Sequence, residues 1–342
     1  MASAFLELLA RVRERIQPPV LIALGSPRSA ADLVAALGPS DIGCFQFDLH
    51  QADRLRQELS ERGANADVHT AADLWDVPHR YRCVLVPSPA RGERELKRDV
   101  VEQAYHVLAD GGHLIVLAPV PNDPSYPALI KMPFGRGALL PPGAGTVLWA
   151  ARRGDKPRRR HEVVFHVRDG DASLAFRSQP GVFTYGRLDD GARALTDVMR
   201  VEPGDRILDV GCGVGAVGIL AARRAGPDAT LTLVDSNLRA VRLAAENATA
   251  LVVPNVTAHA AARLEGLPAK AFDLAVANPP YYAQNAIARL FIDGAHRALS
   301  SGGRFYLVTK QADVVGEMVA AAFGDTSVEL RRGYAVLMAS KS

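Results

Sequence analysis

Asn278-Pro279-Pro280-Tyr281 is the segment of this sequence with the most specific chemistry. Two consecutive prolines after the apolar run FDLAVA remove two N–H donors and fix φ, so they hold a rigid turn. That turn aims the amide oxygen of Asn278 and the carbonyl oxygen after it at one point. An exocyclic or amide NH2 group held there donates two hydrogen bonds. Its nitrogen lone pair is then directed at an electrophile instead of being delocalised into the acceptor's π system. Tyr281 is placed to stack on a planar acceptor. Placement of this kind lowers a barrier by several kcal/mol, on the order of proximity effects generally. Tyr282, Gln284 and Asn285 follow in the same loop and are candidate substrate contacts. Nothing in this chemistry calls for a metal.

A second constellation precedes it. Asp209-Val-Gly211-Cys212-Gly213-Val-Gly215 stands at the end of an apolar strand and opens a helix. Glycines there let the backbone approach a ligand closely, and a helix N-terminus presents free N–H groups and a positive dipole end. A glycine-rich turn alone also marks dinucleotide binders. An acidic residue two positions before the first glycine is unusual for those. Asp235 and Ser236 close the next strand, where a carboxylate can accept hydrogen bonds from both ribose hydroxyls of an adenosine. Either of them could instead cap the helix behind. Cys212 has no activating base nearby in sequence and reads as a small loop residue. His259 ends a short strand without a partner, and His296 reads as a structural helix residue.

These residues need elements to carry them. Strand patterns at 206–211, 230–236, 256–260, 272–280 and 304–310 alternate with helical patterns at 216–226, 238–251, 284–299 and 311–323. A terminal antiparallel pair is expected within 327–341. The first half shows the same rhythm, with strands at 20–25, 44–50, 81–89 and 113–120 and helices at 29–38, 51–63 and 93–109. Each half places an aspartate near the end of its second strand (Asp48, Asp235), runs a later strand into proline (Pro87, Pro279), then shows a helix, Gly-Gly and a strand. Alternation of this kind predicts right-handed crossovers and parallel sheets. Residues 121–160, rich in proline and glycine and carrying Arg152, Arg153, Lys156, Arg158, Arg159 and Arg160, read as a loop-rich connector. The basic run there is either a solvated face or a contact to RNA phosphates. A β-hairpin is expected around Gly170. The predicted limits are 1–160 and 161–342. The first copy lacks the chemistry: Ala23-Leu24-Gly25-Ser26 and Pro87-Ser88-Pro89 stand where the second has its glycine loop and Asn278-Pro279-Pro280.

Composition sets the outer bounds. The 342 residues suit two domains, with 48% hydrophobic and 23% charged residues and a net charge of +3. That balance permits an RNA partner without requiring one. Cys44, Cys83 and Cys212 form no metal or disulfide pattern, which points to a reducing compartment. The amphipathic N-terminus lacks the apolar core of a signal peptide, and no stretch suits a membrane span. A cytoplasmic monomer is the expectation.

With these motifs placed, the second half resembles class I methyltransferases of the amino-group type. PGVFTYGRLDDGARALTDVM, residues 180–199, is similar to the segment before the cofactor loop in the bacterial ribosomal RNA guanine-N2 methyltransferases of the RsmC/RlmG group. The likeness is strong over 180–310 and weak over 1–160. It implies two tandem Rossmann-like domains, the N-terminal one degenerate, with S-adenosylmethionine as cofactor and ribosomal RNA or a ribosomal subunit as partner. It implies cofactor contacts at Asp209, Gly211, Cys212, Gly213, Gly215, Asp235 and Ser236, and a grip on the guanine amino group by Asn278, Pro279, Pro280 and Tyr281. Members of that group usually read Asn-Pro-Pro-Phe-His, where this chain has Tyr281-Tyr282. Asn-Pro-Pro-Tyr also occurs in protein-glutamine and adenine-N6 methyltransferases, and a non-catalytic RNA-binding assembly factor is a further reading. The α/β pattern of residues 20–120 argues against the glutamine enzymes, which carry a small helical N-terminal domain.

Overall fold

The computed structural model describes residues 4–77, 81–121, 123, 125–141, 143–280 and 285–342. The chain divides into two compact units, Met1–His161 and Glu162–Ser342. The first contains α1 (Ala4–Ala10), β1 (Val20–Ala23), α2 (Pro27–Leu37), β2 (Ile42–Gln46), α3 (Leu49–Glu61), β3 (Asp67–Thr70), β4 (Tyr81–Pro87), α4 (Arg94–Val107), β5 (Leu108–Ala118), α5 (Ser125–Phe134), β6 (Ala138–Leu139) and β7 (Thr146–Ala151). Its sheet runs β3-β2-β1-β4-β5-β7-β6, parallel except for β7, which runs antiparallel to both of its neighbours, β5 and β6. All four residues of β1 are buried, as expected of a parallel strand covered on both faces. Separate apolar clusters fill the two sides.

The second unit begins with the hairpin β8 (Val163–Asp169) and β9 (Ala172–Ser178). It continues with α6 (Asp190–Val198), β10 (Arg206–Val210), α7 (Ala216–Ala225), β11 (Thr230–Asp235), α8 (Leu238–Ala250), β12 (Val256–Ala260), β13 (Phe272–Ala277), α9 (Ala286–Ala298), β14 (Leu299–Thr309), α10 (Ala312–Phe323), β15 (Thr326–Arg331) and β16 (Tyr334–Ser340). Its sheet order, β12-β11-β10-β13-β14-β16-β15, repeats that of the first unit position for position. The chain therefore uses one α/β architecture twice.

The repeat extends to a local irregularity. The sequence pattern puts Gly111-Gly112 and Gly302-Gly303 ahead of their strands, but both pairs lie inside β5 and β14. There the register jumps, from Tyr81↔Leu108 to Cys83↔His113 and from Phe272↔Leu299 to Leu274↔Arg304. A Cβ on Gly112 would sit 2.9 Å from the Ala109 carbonyl oxygen, and one on Gly303 would sit 2.9 Å from that of Ser300. Only glycine fits a bulge folded this tightly.

The expected connector over 121–160 needs correction. It contains α5, β6 and β7, and β7 pairs antiparallel along β5 from Ala118↔Thr146 to His113↔Ala151. Burial of Val147, Leu148 and Ala150 against the sheet outweighs the local proline and glycine content. The connector shrinks to about residues 152–161, and its basic side chains are partly engaged. Arg152 donates to the Leu108 carbonyl and to Asp155, and Lys156 donates to the Met132 carbonyl. Arg160 donates to buried Asp73 at 2.8 Å, while the Arg158 guanidinium lies over the Trp75 ring. Residues 153–160 nevertheless remain exposed. Among the described residues, no helix is long and apolar enough to cross a membrane.

Candidate functional site

In the second unit, β10 lies inside the sheet, between β11 and β13. Its alternation sends Leu208 and Val210 to one apolar cluster and Ile207 to the other, so Asp209 points with Ile207 toward α6 and α7. The carboxylate accepts the Gly218 amide N–H at 2.8 Å and so ties the strand to the first turn of α7. It is 3% exposed. Burial pushes its pKa up to about 7, the Gly218 N–H works against that rise, and the charge of Asp235 adds to it.

The loop between β10 and α7 turns on glycine. Gly211 has φ +71°, in the left-handed region, and a Cβ there would lie 2.6 Å from the Phe291 ring. Cys212 is buried, and burial raises its thiol pKa well above the ordinary value, which keeps it a neutral packing residue. Gly213 donates its N–H to Asp235 at 2.9 Å. Gly215, also left-handed, stands just before α7. Asp235 accepts a second bond from the Asn237 N–H at 2.8 Å. Neither Asp235 nor Ser236 caps α8. Asn237 does, accepting from the N–H groups of Arg239 and Ala240. That assignment leaves the Asp235 carboxylate on the glycine loop.

Asn278 follows β13 directly. Its Nδ2 donates to Asp189, 3.2 Å from Oδ1 and 3.4 Å from Oδ2. Pro279 after it is buried and Pro280 half-buried. Tyr281, Tyr282 and Gln284 lie outside the described residues. Asn285, at φ +58°, precedes α9. His296 packs edge-on against Phe323, 4.9 Å between ring centres, in keeping with a structural role. After β12, the N–H groups of Ala262 and Arg263 are taken by the Glu265 carboxylate.

One open pocket of about 460 Å³, including its solvent-facing mouth, collects Asp209, Gly211, Cys212, Gly213 and Asn278. Its other wall is the segment before β10, with Phe183, Thr184, Arg187 and Asp189. The sequence reading singled out that segment only for its resemblance and assigned no residue in it to the site. Asn237 Nδ2 donates to the Gly181 carbonyl at 2.8 Å, and the fully buried Arg239 donates to that of Pro180. Asp189 caps α6 by accepting the Ala192 N–H at 2.8 Å. Thr184, with φ +54°, marks a tight turn that no local residue pattern signals. The pocket therefore offers carboxylates, backbone groups and one amide, a donor and acceptor set suited to a cationic, nucleoside-like ligand and a planar amine.

The chain is similar to known methyltransferases. Residues 173–338 match the family model of the methyltransferase small domain. The ribosomal RNA small subunit methyltransferase C of Pseudomonas aeruginosa is 35% identical over 316 residues, covering 88% of this chain and 88% of that protein. The ribosomal RNA large subunit methyltransferase G of Streptomyces avermitilis is 33% identical over 153 residues, 42% of this chain and 40% of its own length. Matches to several other curated methyltransferases of these two kinds likewise span between 40% and 48% of the relative's length. The T. thermophilus 16S rRNA N2 methyltransferase solved in complex with AdoMet and guanosine shares the fold over 99% of this chain and 92% of its own, with a TM-score of 0.75 at 22% identity. At 35% identity along nearly the whole of both chains, this protein belongs to the family of the ribosomal RNA small subunit methyltransferases C.

Proposed function

We propose that the protein is an S-adenosylmethionine-dependent methyltransferase acting on an exocyclic amino nitrogen of ribosomal RNA, guanine N2 before others. The observation that carries this reading is the pocket that joins Asn278 to the glycine loop through Asp189 and Asp209. The residues fit the cofactor. A buried carboxylate whose ionisation is opposed by burial and by a neighbouring Asp235 gains most from a cationic ligand. Asp209, Gly211, Cys212, Gly213 and Gly215 form the cradle. Asp235, with Ser236 beside it, takes the ribose. When bound, S-adenosylmethionine supplies an electrophilic methyl group on a sulfonium.

The chain's own residues do the rest. The Asn278 amide oxygen and the following carbonyl accept the two N–H bonds of the amine and hold its lone pair toward the methyl. Pro279 and Pro280 keep that pair of acceptors rigid, and Tyr281 stacks on the base. A base inside a duplex cannot reach such a pocket, so the target is unpaired or flipped out. The exposed basic connector and the first unit, which carries the same sheet without the glycine loop, assist in holding RNA.

Incubation with tritiated S-adenosylmethionine and either naked ribosomal RNA, ribosomal subunits or release factor tests the reading. Label is expected in RNA. Label confined to protein would overturn the RNA reading, and no label in any substrate would favour the assembly factor.

A further inference from the structure

We infer that Asp189 is a positioning residue for methyl transfer, fixing which end of the Asn278 amide faces the amine. This rests on the function proposed above. A carboxamide has two ends of similar shape and opposite hydrogen-bonding sense, an acceptor oxygen and a donor NH2. Only the oxygen can accept from the substrate amine. Turned the other way, the amide would present N–H groups to N–H groups, and the grip would be lost. The turn made by Pro279 and Pro280 fixes the backbone but does nothing to choose between these two states of the side chain.

Asp189 makes the choice. An ionised carboxylate is an acceptor only, and both of its oxygens lie within reach of Asn278 Nδ2, at 3.2 and 3.4 Å. The NH2 end is thereby drawn toward Asp189, and the oxygen end is turned away from that carboxylate, in the pocket that both residues line. Asp189 is itself held in place. Its Oδ1 accepts the Ala192 N–H at 2.8 Å as the cap of α6, so the carboxylate is anchored to a helix. The segment leading into it is fixed from the other side through the Gly181 and Pro180 carbonyls, bound by Asn237 and Arg239. A charged cap has a second consequence here: hydrogen bonds to an ionised acceptor are stronger than neutral ones, so the orientation is enforced and not merely allowed.

The role differs measurably from plain helix capping. Asn and Ser cap helices about as well as Asp, so Asp189→Asn and Asp189→Ser both retain α6. Asp189→Asn keeps the capping oxygen, which is also the nearer one to Asn278 Nδ2 at 3.2 Å, but turns the acceptor at 3.4 Å into a donor NH2 and removes the charge. The two orientations of the Asn278 amide then differ little in energy, and the flipped one sets its NH2 against the substrate. Asp189→Ser withdraws the carboxylate from Asn278 while keeping a cap. Both variants are therefore expected to be poorer enzymes with α6 intact. Purified full-length variants are compared for kcat on the RNA substrate, for S-adenosylmethionine affinity by calorimetry and for Tm, with Asn278→Ala as reference. Asp189→Asn and Asp189→Ser should each lose about tenfold in kcat, with cofactor affinity and Tm close to wild type. Adding Asp189→Asn to Asn278→Ala should change nothing further. An Asp189→Asn enzyme within twofold of wild-type kcat, alongside an inactive Asn278→Ala, would overturn the inference and leave the proposed function standing. A fully active Asn278→Ala would overturn the reading of the site, and this inference with it.

Discussion

Asp209→Asn should make the second unit more stable and the enzyme worse. The native carboxylate is buried, and its pKa rises from 3.8 to about 7. At 1.36 kcal/mol per pH unit, holding it ionised in the fold costs on the order of 4 kcal/mol. The sign follows from proton binding. Between pH 4 and 7 the native state keeps a proton that the unfolded chain releases, so stability falls as pH rises through that window and stays low above it. Asparagine keeps an oxygen to accept the Gly218 N–H and has no charge to bury. The advantage of the variant should therefore grow by about 3 kcal/mol between pH 5 and pH 8. That corresponds to roughly 6–12 °C in Tm for a unit of this size. Thermal unfolding followed at both pH values, without cofactor, gives the difference. Calorimetry in parallel should show cofactor affinity in the wild type weakening as pH drops below 7, because binding a cation favours the ionised carboxylate. In Asp209→Asn the affinity should be weak at every pH. A variant no more stable than wild type at pH 8 would refute the assignment of a costly buried charge, and wild-type affinity with a flat pH profile would refute its role toward the cofactor.

Other changes separate the parts of the site. Asn278→Ala should lower kcat by about 100-fold or more while leaving S-adenosylmethionine affinity within a factor of two, since it removes orientation of the acceptor and not the cradle; loss of cofactor binding would contradict that division. Gly211→Ala should destabilise the second unit by at least about 2 kcal/mol, from the left-handed φ and the displaced Phe291 ring together, and a Tm unchanged from wild type would count against the loop geometry. Replacing Arg153 and Arg159 together with alanine should weaken RNA binding and lower the slope of log affinity against log salt by about 1–2, as measured by filter binding over a salt series. An unchanged slope would take the connector out of the RNA contact.

The sequence was most legible where chemistry and backbone geometry coincide. Proline pairs and glycine runs restrict φ whatever surrounds them, so the loops at Gly211–Gly215 and at Asn278-Pro279-Pro280 could be placed on strand ends from the residues alone. Domain-scale periodicity likewise exposed the repeated architecture. Features decided by tertiary pairing were not legible. β7 sits in a proline- and glycine-rich stretch and exists because β5 offers it an edge, and the Gly-Gly pairs read as lying ahead of their strands because a bulge inside a strand has no local signature. Asp189 escaped for a related reason. In sequence it is one of two adjacent aspartates before a helix, an ordinary cap, and only the fold brings it across 89 positions to Asn278. Arg239 is similar: an arginine in the first turn of a helix reads as solvated, yet it is fully buried and fastens the wall of the pocket.

The identity of the methylated atom tests the central claim most directly. Ribosomal subunits and naked ribosomal RNA lacking the modification are incubated with the protein and S-adenosylmethionine, and the RNA is digested to nucleosides and analysed by mass spectrometry. The account predicts N2-methylguanosine, absent when Asn278→Ala replaces the wild type. N6-methyladenosine, a methylated ring carbon or ribose, or unmodified RNA beside methylated protein would contradict it.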